Sequence, residues 1–217
     1  MSRPILVVNP NSNAAVTESL SEAVEPFRLP GGPAIDCVTL ADGPFGIESQ
    51  RDADSVIMPL VRLAEARADA SALVIACYSD PGLDACRSVA RAPVFGIQES
   101  GVATALARAD RFGVVAISDA SIGRHRRAMR RMGVLDRLAG ERALNMSVDE
   151  SARGSRTLER LRETGGLLVE DGAEALILGC AGMARHRAPL EAALGVPVID
   201  PTQAAVAMAL GAVLAGG

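Results

Sequence analysis

Tryptophan is absent from this 217-residue chain, and the aromatic residues together make up only 2% of it. So few aromatic faces leave little for base stacking, and a formal charge of -4 gives no electrostatic reason to attract nucleic acid or an anionic membrane. The two histidines, His125 and His186, cannot build a three-histidine metal site. The four cysteines, Cys37, Cys77, Cys86 and Cys180, include no C-x-x-C pair and no cluster with histidine at zinc spacing. No metal is implied, and the cysteines are expected as free thiols. Long apolar runs are missing as well. Ile5 to Val8 is too short for a signal-peptide core, while Ala204 to Gly217 is shorter than a membrane span and rich in small residues. The expectation is a cytoplasmic protein with no membrane partner, a packed C-terminal helix and a small molecule as its partner.

What is present is apolar content, 49% of the chain, carried mostly by Ala, Val, Leu and Ile, which pack closely where helices lie on a sheet. Strand-like runs occur at Ile5 to Val8, Ala34 to Leu40, Ala72 to Ala76, Pro93 to Ile97, Gly113 to Ile117, Ala175 to Leu178 and Val196 to Ile199. Stretches of helical length and charge spacing separate most of them, among them Arg51 to Ala68, Gly101 to Arg111 and Thr157 to Asp171. Continuous apolar strands between helices predict an α/β protein whose parallel sheet is covered on both faces.

The chain also repeats itself. "ALVIAC" followed by "APVFGIQESGVATALA" is echoed about 103 positions later by "ALILGC" followed by "VPVIDPTQAAVAMALG". Two similar halves are expected, residues 1–97 and 98–217, with the C-terminal helix packing on the first and the boundaries interleaved. In doubly wound halves the ligand-facing residues lie at the carboxyl ends of strands, where this reading places Cys77, Cys180, Asn9 and Ser118. Each cysteine precedes a helix start: Ser79, Asp80 and Pro81 supply capping signals after Cys77, and Ala181 and Gly182 lead on from Cys180. A thiol at a helix N-terminus is expected to have a lowered pKa, and the amides there can hold a developing oxyanion. Inverting a carbon centre requires a proton to leave one face and another to arrive on the opposite face, which two opposed acid/base groups can do. A lone cysteine is usually an inert core residue, and that reading fits Cys37 and Cys86.

Five blocks carry a resemblance: "VVNPNSNAAVT" from Val7, "GPFGIES" from Gly43, "ACYSDPGLDACR" from Ala76, "LGCAGMA" from Leu178 and "GVPVIDP" from Gly195. Together, and in this order, they resemble the Asp/Glu/hydantoin racemase superfamily, most closely its hydantoin and allantoin racemases. The resemblance implies two pseudo-symmetric α/β domains, doubly wound on parallel sheets, with the active site in the cleft between them and no cofactor. It implies Cys77 and Cys180 as catalytic residues, one for each face of the substrate, and Asn9, Tyr78, Ser79, Ser118, Ala181 and Gly182 as substrate-binding positions. Many relatives read C-F-G-D-P-G where this chain has C-Y-S-D-P-G, so Tyr78 and Ser79 add hydroxyl groups there. The expected reaction is racemisation of a cyclic ureide, a 5-substituted hydantoin or allantoin. Aspartate or glutamate racemisation, maleate-type isomerisation and arylmalonate-type decarboxylation remain alternatives on the same fold. A non-catalytic small-molecule binding protein is the alternative from another class.

Remaining features read more plainly. Asp80 and Asp84 fit helix capping, and Glu48, Gln98 and Glu99 are outer candidates for the cleft. His186 follows Cys180 by six residues, a separation that turns two helical side chains apart and argues against a Cys-His nucleophile. "GRHRRAMRR", with five arginines, reads as a solvated helix face or a subunit contact, and the Ala-rich helices are candidates for a homo-oligomer interface. The stretch from Asp136 to Arg156 matches no motif.

Overall fold

Alternation along the first strands decides how the layers form. Side chains of successive strand residues point to opposite faces. Ile5, Val7, Ala72 and Val74 therefore enter one core, and Leu6, Val8, Leu73 and Ile75 a second. The computed structural model describes residues 3–147, 150–151 and 156–216. Its first sheet holds β1 (Ile5–Asn9), β2 (Ile35–Thr39), β3 (Ala72–Ile75) and β4 (Val94–Gly96), all parallel, in the order β2-β1-β3-β4. The second holds β5 (Phe112–Ala116), β6 (Leu138–Ala143), β7 (Ala175–Gly179) and β8 (Val198–Ile199), again parallel, in the corresponding order β6-β5-β7-β8. The chain is thus α/β with two pseudo-symmetric, doubly wound lobes, as the repeat predicts.

Helices α1 (Ala14–Val24), α2 (Gln50–Ser55), α3 (Ile57–Ala66) and α4 (Leu83–Val89) serve the first sheet. The smaller core lies under α2, α3 and α4, and the larger one runs continuously from the first sheet into the second. Helices α6 (Asp119–Arg131), α7 (Thr157–Glu170) and α8 (Arg187–Leu194) follow in the second half. Two helices cross over. Helix α5 (Ile97–Leu106) follows β4 in the chain but packs against β7 and β8, while α9 (Pro201–Ala215) follows β8 and packs against β1, β3 and β4. They also pack on each other.

The sequence reading needs three adjustments. The helix expected over Arg51 to Ala68 is two, α2 and α3, broken at Val56, and a capping box between Ser49 and Asp52 starts the first. The C-terminal helix begins at Pro201, where the Asp200 side chain accepts the Gln203 N–H. Strand β6 was not expected at all: as an edge strand reading "LAGERA" it lacks an apolar run and buries only Glu141. Among the described residues no helix is long and apolar enough to cross a membrane.

Candidate active site

In each sheet the chain leaves the first strand toward one edge and returns to place the third strand on the other side. That creates a switch point between β1 and β3 and another between β5 and β7. Crevices open beyond the carboxyl ends of strands at such points. Here the two crevices meet in one small cavity of about 40 Å³. Asn11 reaches it from the β1 side, Ala76 and Cys77 from beyond β3, Ile117 from beyond β5, and Gly179 and Cys180 from β7. Gly179 is required by close approach, since a Cβ there would come within 2.6 Å of the Val115 carbonyl oxygen on the neighbouring strand.

Cys77 lies in a tight turn, its carbonyl accepting the N–H groups of Ser79 and Asp80. Helix α4 starts only at Leu83, behind a left-handed Gly82 with no side-chain cap, so the expected helix end is not at this thiol. Nor does Asp80 cap α4. In a left-handed conformation (φ 46°) it turns away and accepts the N–H groups of Gln98 and Glu99 at 2.9 and 2.8 Å, thereby capping α5. Gly96 permits this approach, because a Cβ there would overlap the Asp80 carboxylate. Cys77 is half-buried, and withdrawal of its sulfur from water dominates the thiol's acidity. It pushes Cys77 up to about 12 from 9.0, opposed by the Ser79 hydroxyl at 3.6 Å and by the nearby charge of Arg124.

Cys180 comes closer to expectation. It is the N-cap of a short 3-10 helix, Ala181–His186, with no side-chain cap hydrogen bond, and the nearby backbone amides of Gly182 and Ala181 favour its anionic form. The Ser151 hydroxyl stands 3.7 Å away. These donors favour thiolate, yet burial outweighs them and raises the Cys180 pKa above 9.0. Both thiols therefore depart from the lowered pKa predicted from helix position: removal from water costs the anion more than these few donors return.

The other expected site residues divide. Tyr78, Ser79 and Ala181 line the cavity with the cysteines, whereas Asn9, Ser118 and Gly182 do not. Asn9 is fully buried one layer behind. Its amide donates to Asn11 Oδ1 and Thr17 Oγ1, each at 3.0 Å, so it positions Asn11. Counted from the equivalent residues Ile5 and Phe112, which hold the same register on β3 and β7, Ser118 corresponds to Asn11 and not to Asn9. Ser118 caps the start of α6 through its backbone carbonyl, leaving Ser121 to face the cavity. Gln98 is buried and donates to the His125 carbonyl, Glu99 pairs with Arg87 at the surface, and Glu48 is exposed with its carbonyl engaged by Arg124. His186 accepts from Arg185 and takes no part in the cavity.

The sequence reading missed Arg124 and His125. Both lie inside "GRHRRAMRR", on a helix expected to be solvated, yet they are 8% and 1% exposed and line the cavity. His125 Nδ1 meets Glu141 Oε1 of β6 at 2.5 Å, and its ring stands edge-on to Tyr78 with centroids 4.9 Å apart. A helical-wheel pattern interrupted by so many arginines gives little sign of which ones turn inward. Recognising His125 needed β6, the strand that the sequence concealed.

Two doubly wound α/β lobes present one cysteine each to a shared cavity, and comparison with known proteins identifies the class. The sequence profile of the Asp/Glu/hydantoin racemase family matches residues 5–209. Hydantoin racemase of Paenarthrobacter aurescens is 37% identical over 214 residues, covering 94% of this chain and 89% of the relative. The structure of allantoin racemase from Klebsiella pneumoniae superposes with a TM-score of 0.93 at 33% identity, covering 99% of this chain and 89% of that one. Allantoin racemase from Pseudomonas fluorescens gives 0.89 at 28% identity, with 98% and 92% covered. The chain belongs to the Asp/Glu/hydantoin racemase family and is an isomerase of the racemase type.

Proposed function

We propose that the chain interconverts the enantiomers of a cyclic ureide, a 5-substituted hydantoin or allantoin, without a cofactor, using Cys77 and Cys180 as its acid/base pair. One observation carries the reading: corresponding strands of the two lobes deliver one sulfur each to a single cavity. One cysteine enters the cycle as thiolate and the other as thiol. The thiolate takes the proton from the ring carbon that bears the substituent, and the C–H electron pair passes into the adjacent carbonyl as an enolate. The opposite S–H then gives its proton to the other face of that carbon, so the two sulfurs end with their protonation states exchanged.

Burial serves this chemistry in a specific way. A thiolate held at high pKa is scarce but strongly basic, which suits a carbon acid far weaker than water-exposed thiols. The Ala181 and Gly182 amides beside Cys180 give the anionic state its donors on that side. The sequence contains no lysine, so none of its residues can hold a carbonyl cofactor as a Schiff base. A cavity this small suits a compact planar ring, and thiols at the centre of the reaction suit a reducing compartment such as the cytoplasm.

The test incubates enantiopure ureides with the protein in deuterated water, following optical rotation and label uptake. Cys77→Ala and Cys180→Ala should each abolish interconversion, with exchange surviving on one enantiomer at most. Full racemase rates in both variants would end the two-thiol mechanism. Turnover of aspartate or glutamate with none of any ureide would move the substrate to the amino-acid branch.

A further inference from the structure

Arg124 is a buried guanidinium with no carboxylate at ion-pair distance among the described residues. Its Nη1 donates to the Glu48 carbonyl at 3.2 Å and its Nε, also buried, has no partner. A charge withdrawn from water without a counter-ion is expensive, and proteins keep such groups where something charged comes to meet them. Its location suggests what that is. Arg124 and Ser79 line the thiol cavity and also a second, open groove of about 390 Å³. The cavity is small and shares Ser79 and Arg124 with the wider groove, which makes the groove the space open to a substituent of a ring held at the thiols.

The groove is biased toward anions. Arg124, Arg127 and Arg131 recur at helical spacing along one stripe of α6 and all line it. Two carboxylates face them, and both are engaged: Asp54 accepts from the Gln50 amide at 2.8 Å, and both oxygens of Asp80 are taken by the α5 amides. Among the described residues Arg127 is held only by the neutral Gln50 side-chain oxygen, at 2.8 Å.

We propose that this groove is the substituent subsite and that it selects hydantoins whose 5-substituent ends in a carboxylate, with Arg124 as the residue that pairs with it. The proposal rests on the ureide reading above and names its substrate class. A guanidinium offers a carboxylate two parallel N–H donors, which an amide of the same shape cannot match.

The matched probes are 5-(carboxymethyl)hydantoin and 5-(carbamoylmethyl)hydantoin, differing only in carboxylate against amide. With the full-length wild type, kcat/KM for the carboxylate should exceed that for the amide by about tenfold or more. Arg124→Met should erase this ratio, chiefly through KM, and Arg131→Gln, at an exposed position that does not endanger folding, should reduce it about threefold. Overturning results are a wild type that prefers the amide, or an Arg124→Met variant in which both substrates lose activity together and the ratio survives. The second outcome would assign the guanidinium to the thiolate instead of the substrate. Calorimetric binding of both probes to the Cys77→Ala/Cys180→Ala protein, with and without Arg124→Met, separates this proposal from the reaction itself. A carboxylate preference there that depends on Arg124 supports the subsite even if no hydantoin is racemised. Racemisation of neutral hydantoins with no carboxylate preference sinks the subsite and leaves the reaction standing.

Discussion

Replacing Ser79 by alanine isolates the hydroxyl that leans on the Cys77 sulfur at 3.6 Å. With the Cys77 thiol at about 12, on the order of one molecule in ten thousand carries the thiolate at pH 8. An ordinary thiol at 9.0 would have roughly one in ten. Higher basicity makes each thiolate more nucleophilic and returns about 20- to 30-fold of that thousandfold deficit. Alkylation of Cys77 should therefore run about 30- to 50-fold slower than that of an exposed cysteine, before any steric contribution. Losing a hydroxyl donor to the anion is worth about 1.4 kcal/mol, or one pH unit. In Ser79→Ala the thiolate population should then fall about tenfold and the alkylation rate about threefold.

Iodoacetamide labelling quantified by peptide mass spectrometry measures this site by site, with Cys180 in the same sample as the reference that Ser79 does not touch. The Cys77 rate should rise about tenfold per pH unit from pH 7 to 10 with no plateau, in wild type and variant alike. A plateau at or below pH 9 would show that burial does not control the thiol. Faster labelling of Cys77 in Ser79→Ala would show that the hydroxyl acts as a steric cover and not as a donor.

Two further outcomes follow from the same buried electrostatics. His125 and Glu141 pair with side chains 1% and 0% exposed. His125→Ala, which among the described residues leaves the buried Glu141 side chain with only Arg126 Nε at 3.9 Å, should cost about 1–3 kcal/mol and lower the melting temperature by about 2–12 °C in calorimetry. A drop below about 2 °C would mean that the pair contributes little to the fold. The second concerns alkaline stability. The folded chain keeps the Cys77 proton up to about 12 while the unfolded chain loses it near 9.0, so this stability is complete below pH 9 and is lost as pH climbs between the two values. The loss should reach about 1.4 kcal/mol at pH 10 and about 4 kcal/mol at the limit. Urea unfolding of wild type and Cys77→Ala at pH 8 and pH 10 should show the wild type losing about 1.3 kcal/mol more than the variant; parallel losses would refute the assignment.

How much of this was legible beforehand depended on whether the signal was local. Six strands announced themselves as apolar runs because their side chains are largely covered on both faces, and the edge strand β2 was legible from Ile35, Cys37 and Val38 although Asp36 is exposed; the Cys77/Cys180 repeat placed both thiols at strand ends without any structure. Strand β6 stayed hidden because an edge strand with one buried side chain, Glu141, carries no such run. With it went the meaning of His125, whose partner lies 16 residues away in a segment that matched no motif. Asp80 was misassigned for a related reason: its capping signal is real, but the helix that it caps begins 17 residues later, at Ile97. Asn9 and Ser118 both look like polar residues at strand ends, and only strand register shows that Ser118 corresponds to Asn11. The predicted thiol acidity failed because helix position is readable from sequence and desolvation is not.

The crossing of α5 and α9 explains how two lobes can hold two sulfurs in register. We propose that the sheets divide near residue 97, with the C-terminal helix lent to the first lobe. Each lobe then covers its partner with the helix that follows its own fourth strand, and the two loaned helices pack on each other, with Gly101 close against Pro201 and Ile177. Neither lobe can rotate far without stripping apolar cover from the other sheet, a cost that grows with the area exposed. The two carboxylates that cap these helices sit beside the two cysteines that line the cavity. Asp80 follows Cys77 by three residues and caps α5, while Asp200, close enough to Cys180 for its charge to be felt there, caps α9. The first capping links the loop that carries Cys77 directly to the helix that covers the opposite sheet. A shift of the lobes therefore moves that thiol as well, and the fold limits such shifts by burying the same helices that would have to slide.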